Sequence, residues 1–231
     1  MTELLEFFWP VHRAGYKLVS GKELGRKKPT DALLGNAAGS DQWIVPVDKT
    51  PPTDLDAYAK VIDFRDPLKL GLCVYRNFVD WNATPEGALR FTDSYGFLFE
   101  YNYNKPQGML LDTWLSHQKN MRSAILAWER KSDVSKMVFD FNAVELGPLT
   151  TKLRQNRSGK GVYVVLQPKS LWAMMWVEFA LQISNQSGIR QCEWCSNWFP
   201  YGTGTGRRSK ARFCSDPCRK ASHIQSKKEG V

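Results

Sequence analysis

Apolar positions along the 231 residues change period several times, and each change marks an element. Phe7-Phe8-Trp9-Pro10, Tyr16–Val19 and Trp43–Val47 are short β-type runs separated by Gly15, Gly21, Gly25, Gly35 and Gly39. After Pro51-Pro52, Thr53 or Asp54 is placed to cap a helix through Tyr58 and Ile62 to Pro67. Thr84-Pro85-Glu86 then opens a helix in three ways: a capping hydroxyl, a proline in the first turn, and an acid at the positive end of the dipole. Gly96 ends that helix. From Met109 to Lys131, the residues Leu111, Trp114, Met121, Ile125 and Trp128 recur at helical spacing, so they form one core-facing stripe. His117 falls beside the stripe with no second His or Cys nearby, and reads as a surface or satisfied core residue. Gly161–Leu166 is a β-branched strand closed by Pro168. Ser170 caps Leu171–Ser184, which is apolar on nearly every face and therefore buried, and Gly188 stops it. The pattern predicts an α+β fold, mainly helical, with a strand-containing N-terminal region and a helical core.

Different chemistry begins at Arg190. Cys192-Glu-Trp-Cys195 is followed, eighteen residues on, by Cys214-Ser-Asp-Pro-Cys218. Two thiol pairs at this spacing close the four positions of a tetrahedral ion, and the expected cofactor is one structural Zn2+ on Cys192, Cys195, Cys214 and Cys218. The first pair has the spacing of a knuckle. Phe199 is placed to cover the metal from a hairpin, and Pro200–Gly206 is its glycine-rich tip. Pro217 suits the first turn of a helix, so Cys214 and Cys218 bracket a helix start. Knuckle, hairpin and helix in that order predict a treble-clef zinc finger over residues 189–231, behind a mainly helical α+β domain over 1–188. The connection between them is short, so the finger is expected to be docked rather than tethered. Cys73, among apolar neighbours, reads as a buried thiol.

Charge sharpens this picture. The net charge is +9, and residues 190–231 carry nine Lys/Arg against three Asp/Glu. Four thiolates on a dication leave the tail at about +4, which points to a polyanionic partner. Nucleic acid, with duplex DNA first, is expected on Arg207, Arg208, Lys210 and Arg212 of the hairpin and Arg219 and Lys220 of the helix. Lys22–Lys28 reads as a solvated loop, because no aromatic is interleaved there. No apolar run approaches the roughly 20 residues of a membrane span, and acids stand at the N-terminus where a signal peptide carries Lys or Arg. With an odd cysteine count, this predicts a cytoplasmic protein with no membrane partner. Gly35–Gly39 matches no phosphate-binding loop, and His223 lacks an acidic or imidazole companion. No enzyme is expected.

Cys192, Cys195, Phe199, the run Arg207–Arg212, Phe213-Cys214-Ser215 and Cys218 together resemble the CGNR-type zinc fingers of bacterial proteins with a helical N-terminal domain. That resemblance implies a DNA-binding transcription regulator. The chain departs from the family after the fourth cysteine, where Arg219-Lys220-Ala221 replaces Gly-Asn-Arg, and its glycine tract at 202–206 is longer. A competing reading makes the finger a structural module of an interaction or scaffold protein, with Trp194, Trp198 and Tyr201 as anchors for a protein partner and no nucleic-acid role.

Overall fold

Most of the period-two runs become strands, and most of the helical stripes become helices. The computed structural model describes residues 7, 9–25, 41–47, 60–65, 73–99, 108–130, 135, 138, 149–155, 162–185, 187–202 and 205–228. Its first elements are β1 (Trp9–His12), β2 (Tyr16–Ser20), β3 (Gln42–Pro46) and β4 (Ile62–Arg65). Helices α1 (Val74–Asp80) and α2 (Pro85–Tyr95) follow, then β5 (Met109–Leu110) and α3 (Leu111–Arg130). The last third holds β6 (Leu149–Gln155), β7 (Val162–Pro168), α4 (Leu171–Asn185), β8 (Gly188–Gln191), β9 (Trp198–Tyr201) and α5 (Asp216–Lys228). All strand pairs among these are antiparallel, in the orders β1-β4, β2-β3-β5, β6-β7 and β8-β9. The fold is mixed α+β. Among the described residues, no helix is long and apolar enough to cross a membrane.

The chain divides into two units. One comprises Trp9–Arg65 and Phe78–Glu145, the other Met1–Phe8, Asp66–Asn77 and Leu146–Val231. In the first, α2 lies against β1 and β2. The Tyr16 N–H donates to Asp93 Oδ1 at 2.8 Å, and the Trp9 indole donates to the Phe97 carbonyl at 2.7 Å. Phe78, Phe91 and Trp114 meet edge to face with centroids 4.9–5.9 Å apart, the arrangement ring quadrupoles favour. The Gln118 amide donates to the Phe78 and Trp81 carbonyls at 2.7 and 2.8 Å, satisfying acceptors that the end of α1 leaves open.

Thr84 caps α2 as its sequence predicts, accepting from the Gly87 N–H at 3.1 Å, and Gly96 follows its last residue with φ +84°. Gly87 gives a test of this corner. In an exposed helix, alanine in place of glycine gains roughly 1 kcal/mol. Here a Cβ would stand 2.0 Å from the Asn82 carbonyl oxygen, so the capping turn would have to move. Gly87→Ala is expected to destabilise by about 1–3 kcal/mol in urea unfolding; a gain would show that the turn yields freely.

The second unit is built on α4. Leu171 through Val177 and Phe179 are all buried, as an all-round apolar helix requires. Ser170 Oγ accepts from the Ala173 N–H at 3.0 Å and caps it. Val165 and Pro168 are buried on the β6-β7 ribbon, and β7 lies against α4. Glu178 interrupts the apolar surface for a reason: its carboxylate accepts from the backbone N–H groups of Val74 and, at 3.1 Å, Tyr75, in the first turn of α1.

Three expectations change. The helix expected through Tyr58 and Ile62 to Pro67 is helical at Lys60–Val61 but gives way to strand β4 from Ile62; antiparallel pairing of Ile62–Arg65 with Trp9–His12 overrides the local helical spacing there. Trp128 leaves the buried stripe and is 37% exposed, and its neighbours Glu129 and Arg130 at the end of α3 are exposed too. Gly188 does not end α4 but starts β8, where a Cβ would stand 2.3 Å from the Tyr201 ring. The expected caps Thr53 and Asp54, the Gly35–Gly39 loop and the end of Lys22–Lys28 lie outside the described residues.

Candidate metal centre

Strands β8 and β9 pair with Gln191 opposite Trp198, so the six residues between them form a tight knuckle at the end of the hairpin. The Ser196 N–H donates to the Cys192 carbonyl at 2.9 Å, and the Cys192 N–H to the Asn197 carbonyl at 2.9 Å. Ser196 takes a left-handed conformation, φ 58°, to close the turn. A second turn is closed by the bridge between Gly202 and Arg207. The chain then returns beside the knuckle, with the Glu193 N–H donating to the Arg212 carbonyl at 3.2 Å. Cys214 stands just before α5. Ser215 caps that helix by accepting from the Cys218 N–H at 3.4 Å, and Pro217 occupies the first turn.

These turns bring the four thiols together. The Sγ atoms of Cys192, Cys195, Cys214 and Cys218 all lie within 4.8 Å of one another. Cys214 Sγ is 3.6 Å from that of Cys195 and 3.5 Å from that of Cys218. Disulfide sulfurs are about 2.05 Å apart, whereas a tetrahedral ion with metal–sulfur bonds of about 2.3 Å sets its sulfurs about 3.8 Å apart. The observed spacing fits the ion. Phe199 is fully buried against Cys192 and Cys214, with Tyr201 and Phe213 around them, so one side of the site is dry.

Electrostatics differ between the thiols. Burial alone would raise Cys192, but backbone N–H groups of Cys195, Cys214 and Trp194 outweigh it and bring the thiol down to about 7. The Cys214 N–H contact to that sulfur measures 3.4 Å. Burial and the neighbouring thiols push Cys214 far up, and burial likewise raises Cys195. Of these three sulfurs Cys192 offers a thiolate most readily, and an arriving cation displaces the remaining protons. All four positions are filled by protein sulfur, which suits a structural ion rather than one that activates water.

The six basic residues singled out by sequence are not equivalent. Arg207 is half-buried and donates to the Cys214 carbonyl at 2.7 Å and the Pro200 carbonyl at 3.4 Å, with its guanidinium 5.4 Å from the Phe199 centroid. Arg212 forks onto both oxygens of Glu193, Nε lying 2.7 and 2.8 Å from them. Arg219 pairs with Asp216 at 3.0 Å in the first turn of α5. Arg208, Lys210 and Lys220 are exposed. Sequence reasoning did not single out Arg190, whose guanidinium donates to the Ala211 carbonyl at 3.0 Å and lies 4.1 Å from the Tyr201 centroid.

Strand β9 is joined to the rest of its unit by backbone and side-chain contacts at Trp198. The Cys73 N–H donates to the Trp198 carbonyl at 2.8 Å, the Trp198 N–H to Asn77 Oδ1 at 3.1 Å, and Arg76 lies 4.7 Å over the Trp198 ring. Cys73 itself is buried, and burial followed by the charge of Glu178 holds its thiol well above the ordinary range. No family model and no curated protein matches the chain, so the four-sulfur cluster itself is the ground for any functional reading.

Proposed function

We propose that the protein is a zinc-stabilised nucleic-acid-binding protein of regulatory role, with the ion held by Cys192, Cys195, Cys214 and Cys218 in a treble-clef finger. Zinc is the ion of choice because four thiolates in tetrahedral array suit a borderline-soft cation with no geometric demand of its own. The observation that carries the nucleic-acid reading is the exposure of α5. Along its described length only Cys218, Ala221 and Ser222 are even half-buried, and it offers Arg219, Lys220 and Lys227 beside Arg208 and Lys210 of the preceding loop. Arg207, drawn into the fold by two carbonyls, serves the finger rather than a phosphate. The CGNR-like motif supports the same reading and, with it, duplex DNA as a ligand.

With Arg219 held by Asp216, four phosphate contacts from Arg208, Lys210, Lys220 and Lys227 predict a steep salt response: affinity for a duplex should fall roughly a hundredfold between 50 and 200 mM salt. Fluorescence anisotropy of zinc-loaded protein on a labelled duplex measures this, and charge reversal of Arg208 and Lys210 should flatten the slope by about two contacts. A slope unchanged by that reversal sinks the assignment.

A second reading has its own support. The contacts of Trp198 with Cys73, Asn77 and Arg76 make the finger part of the unit's framework, so the zinc also serves as a structural staple.

A further inference from the structure

The finger's aromatic rings show an unusual division. Trp198, Phe199, Tyr201 and Phe213 each carry a guanidinium over the ring, from Arg76, Arg207, Arg190 and Arg212, at 4.7, 5.4, 4.1 and 5.7 Å from the centroids. Each arginine so placed covers an aromatic face. Trp194, on the knuckle between the first two ligands, is different: it is 41% exposed, and among the described residues no ring or cation stacks on it. The indole is presented to solvent from a turn whose backbone is fixed by hydrogen bonds among Cys192, Ser196 and Asn197.

Its surroundings select the ligand. Glu193, beside it in sequence, is the one acid of the knuckle, and the exposed fork of Arg212 neutralises it. The segment that runs beside the knuckle through the Glu193–Arg212 backbone bond carries the exposed cations Arg208 and Lys210. An exposed indole on a fixed turn, with exposed cations on the segment that crosses that turn, matches a strand whose bases are free to leave the stack, since a base has a flat face for the indole and a phosphate for the cations. Paired bases inside a duplex offer their edges, not their faces.

Building on the nucleic-acid reading, we propose that Trp194 is a stacking platform for an unpaired base, and that the finger's preferred ligand is a single-stranded nucleic-acid segment. Arg208 and Lys210 hold its phosphates, and Arg207 and Arg190 stay within the fold.

The test uses full-length zinc-loaded protein with labelled 12-mers: oligo-dT, oligo-U, a DNA duplex, and an abasic sugar-phosphate strand. Single strands should bind at least tenfold tighter than duplex. Trp194→Ala should weaken them by roughly five- to a hundredfold, as loss of one stacked base does. Its salt slope, and its binding to the abasic strand and duplex, should not change. Trp194→Phe should recover part of the loss. Zinc content and thermal unfolding of both variants should match wild type, since the indole is exposed. Indole-dependent binding to oligo-dT, to oligo-U or to both supports the proposal and identifies the sugar preferred. The proposal is overturned by duplex binding as tightly as single strands, or by Trp194→Ala acting equally on the abasic strand. Failure of the underlying reading looks different: no strand binds with a salt slope, or a poly-glutamate peptide binds as well as any of them, which would make the partner an acidic protein.

Discussion

Cys214→Ser is expected to release the metal and loosen the unit that contains it. Cys214 Sγ lies 3.5–3.6 Å from two partner sulfurs, and the Cys214 carbonyl anchors Arg207. Structural zinc sites contribute about 10–16 kcal/mol of apparent binding free energy. Shared over four thiolates, one is worth roughly 3 kcal/mol, more than a hundredfold in affinity. Dialysed against a weak chelator, wild-type protein should retain one zinc per chain by atomic emission and the variant close to none. The effect should not stop at the finger. Trp198 of β9 binds the Cys73 N–H and Asn77 at the start of α1, so an unclosed knuckle removes a partner from that helix. A loss of about 3 kcal/mol lowers the unfolding temperature of a unit this size by roughly 10 °C. Cys73→Ser is the control: that thiol is buried and outside the four-sulfur cluster, so the metal should stay. Full zinc content in Cys214→Ser would disprove the site.

The parts of this fold that were legible in the sequence are those in which a single segment decides the outcome. Leu171–Asn185 could only be a buried helix, since no face of it is polar enough for water. Thr84, Pro85 and Gly96 act within one turn of their own helix. The four cysteines were legible because ligand spacing encodes the geometry of the ion, and the sulfurs do converge. Illegible features depend on a distant partner. Ile62–Arg65 reads as helix until Trp9–His12 is there to pair with it. The arginines read as six similar charges until the hairpin register is known. Only then does Arg190 fall diagonally across from Tyr201, and only then does the Gly202–Arg207 bridge carry the Arg207 guanidinium over Phe199. Sequence counts charge; the register decides which charges remain on the surface.

The second large effect is a pH dependence written into α4. Burial pushes the Glu178 carboxyl up from its ordinary 4.5 to about 8, against the two backbone N–H groups of α1 that favour its charged form. A carboxyl whose folded pKa lies above its unfolded one stabilises the fold fully below the ordinary value, and that contribution is lost as pH rises through the folded value. Wild-type protein should therefore lose roughly 2 kcal/mol between pH 6 and pH 8 from this group alone. Glu178→Gln keeps an oxygen for the Tyr75 N–H, now 3.1 Å away, and cannot ionise. Urea midpoints should show the variant gaining on wild type from pH 6 to pH 8 and holding a constant lead above about pH 9. The location gives the result structural meaning. Glu178 holds the first turn of α1, and the same turn receives β9 through Cys73, whose thiol the carboxylate charge also raises. Ionisation of Glu178 thus carries its cost as a buried charge beside the turn on which β9 rests, and removing the charge should also make Cys73 titrate lower. Parallel urea curves for wild type and variant across this range would mean that the carboxyl ionises as an ordinary surface acid and that α4 carries no such cost.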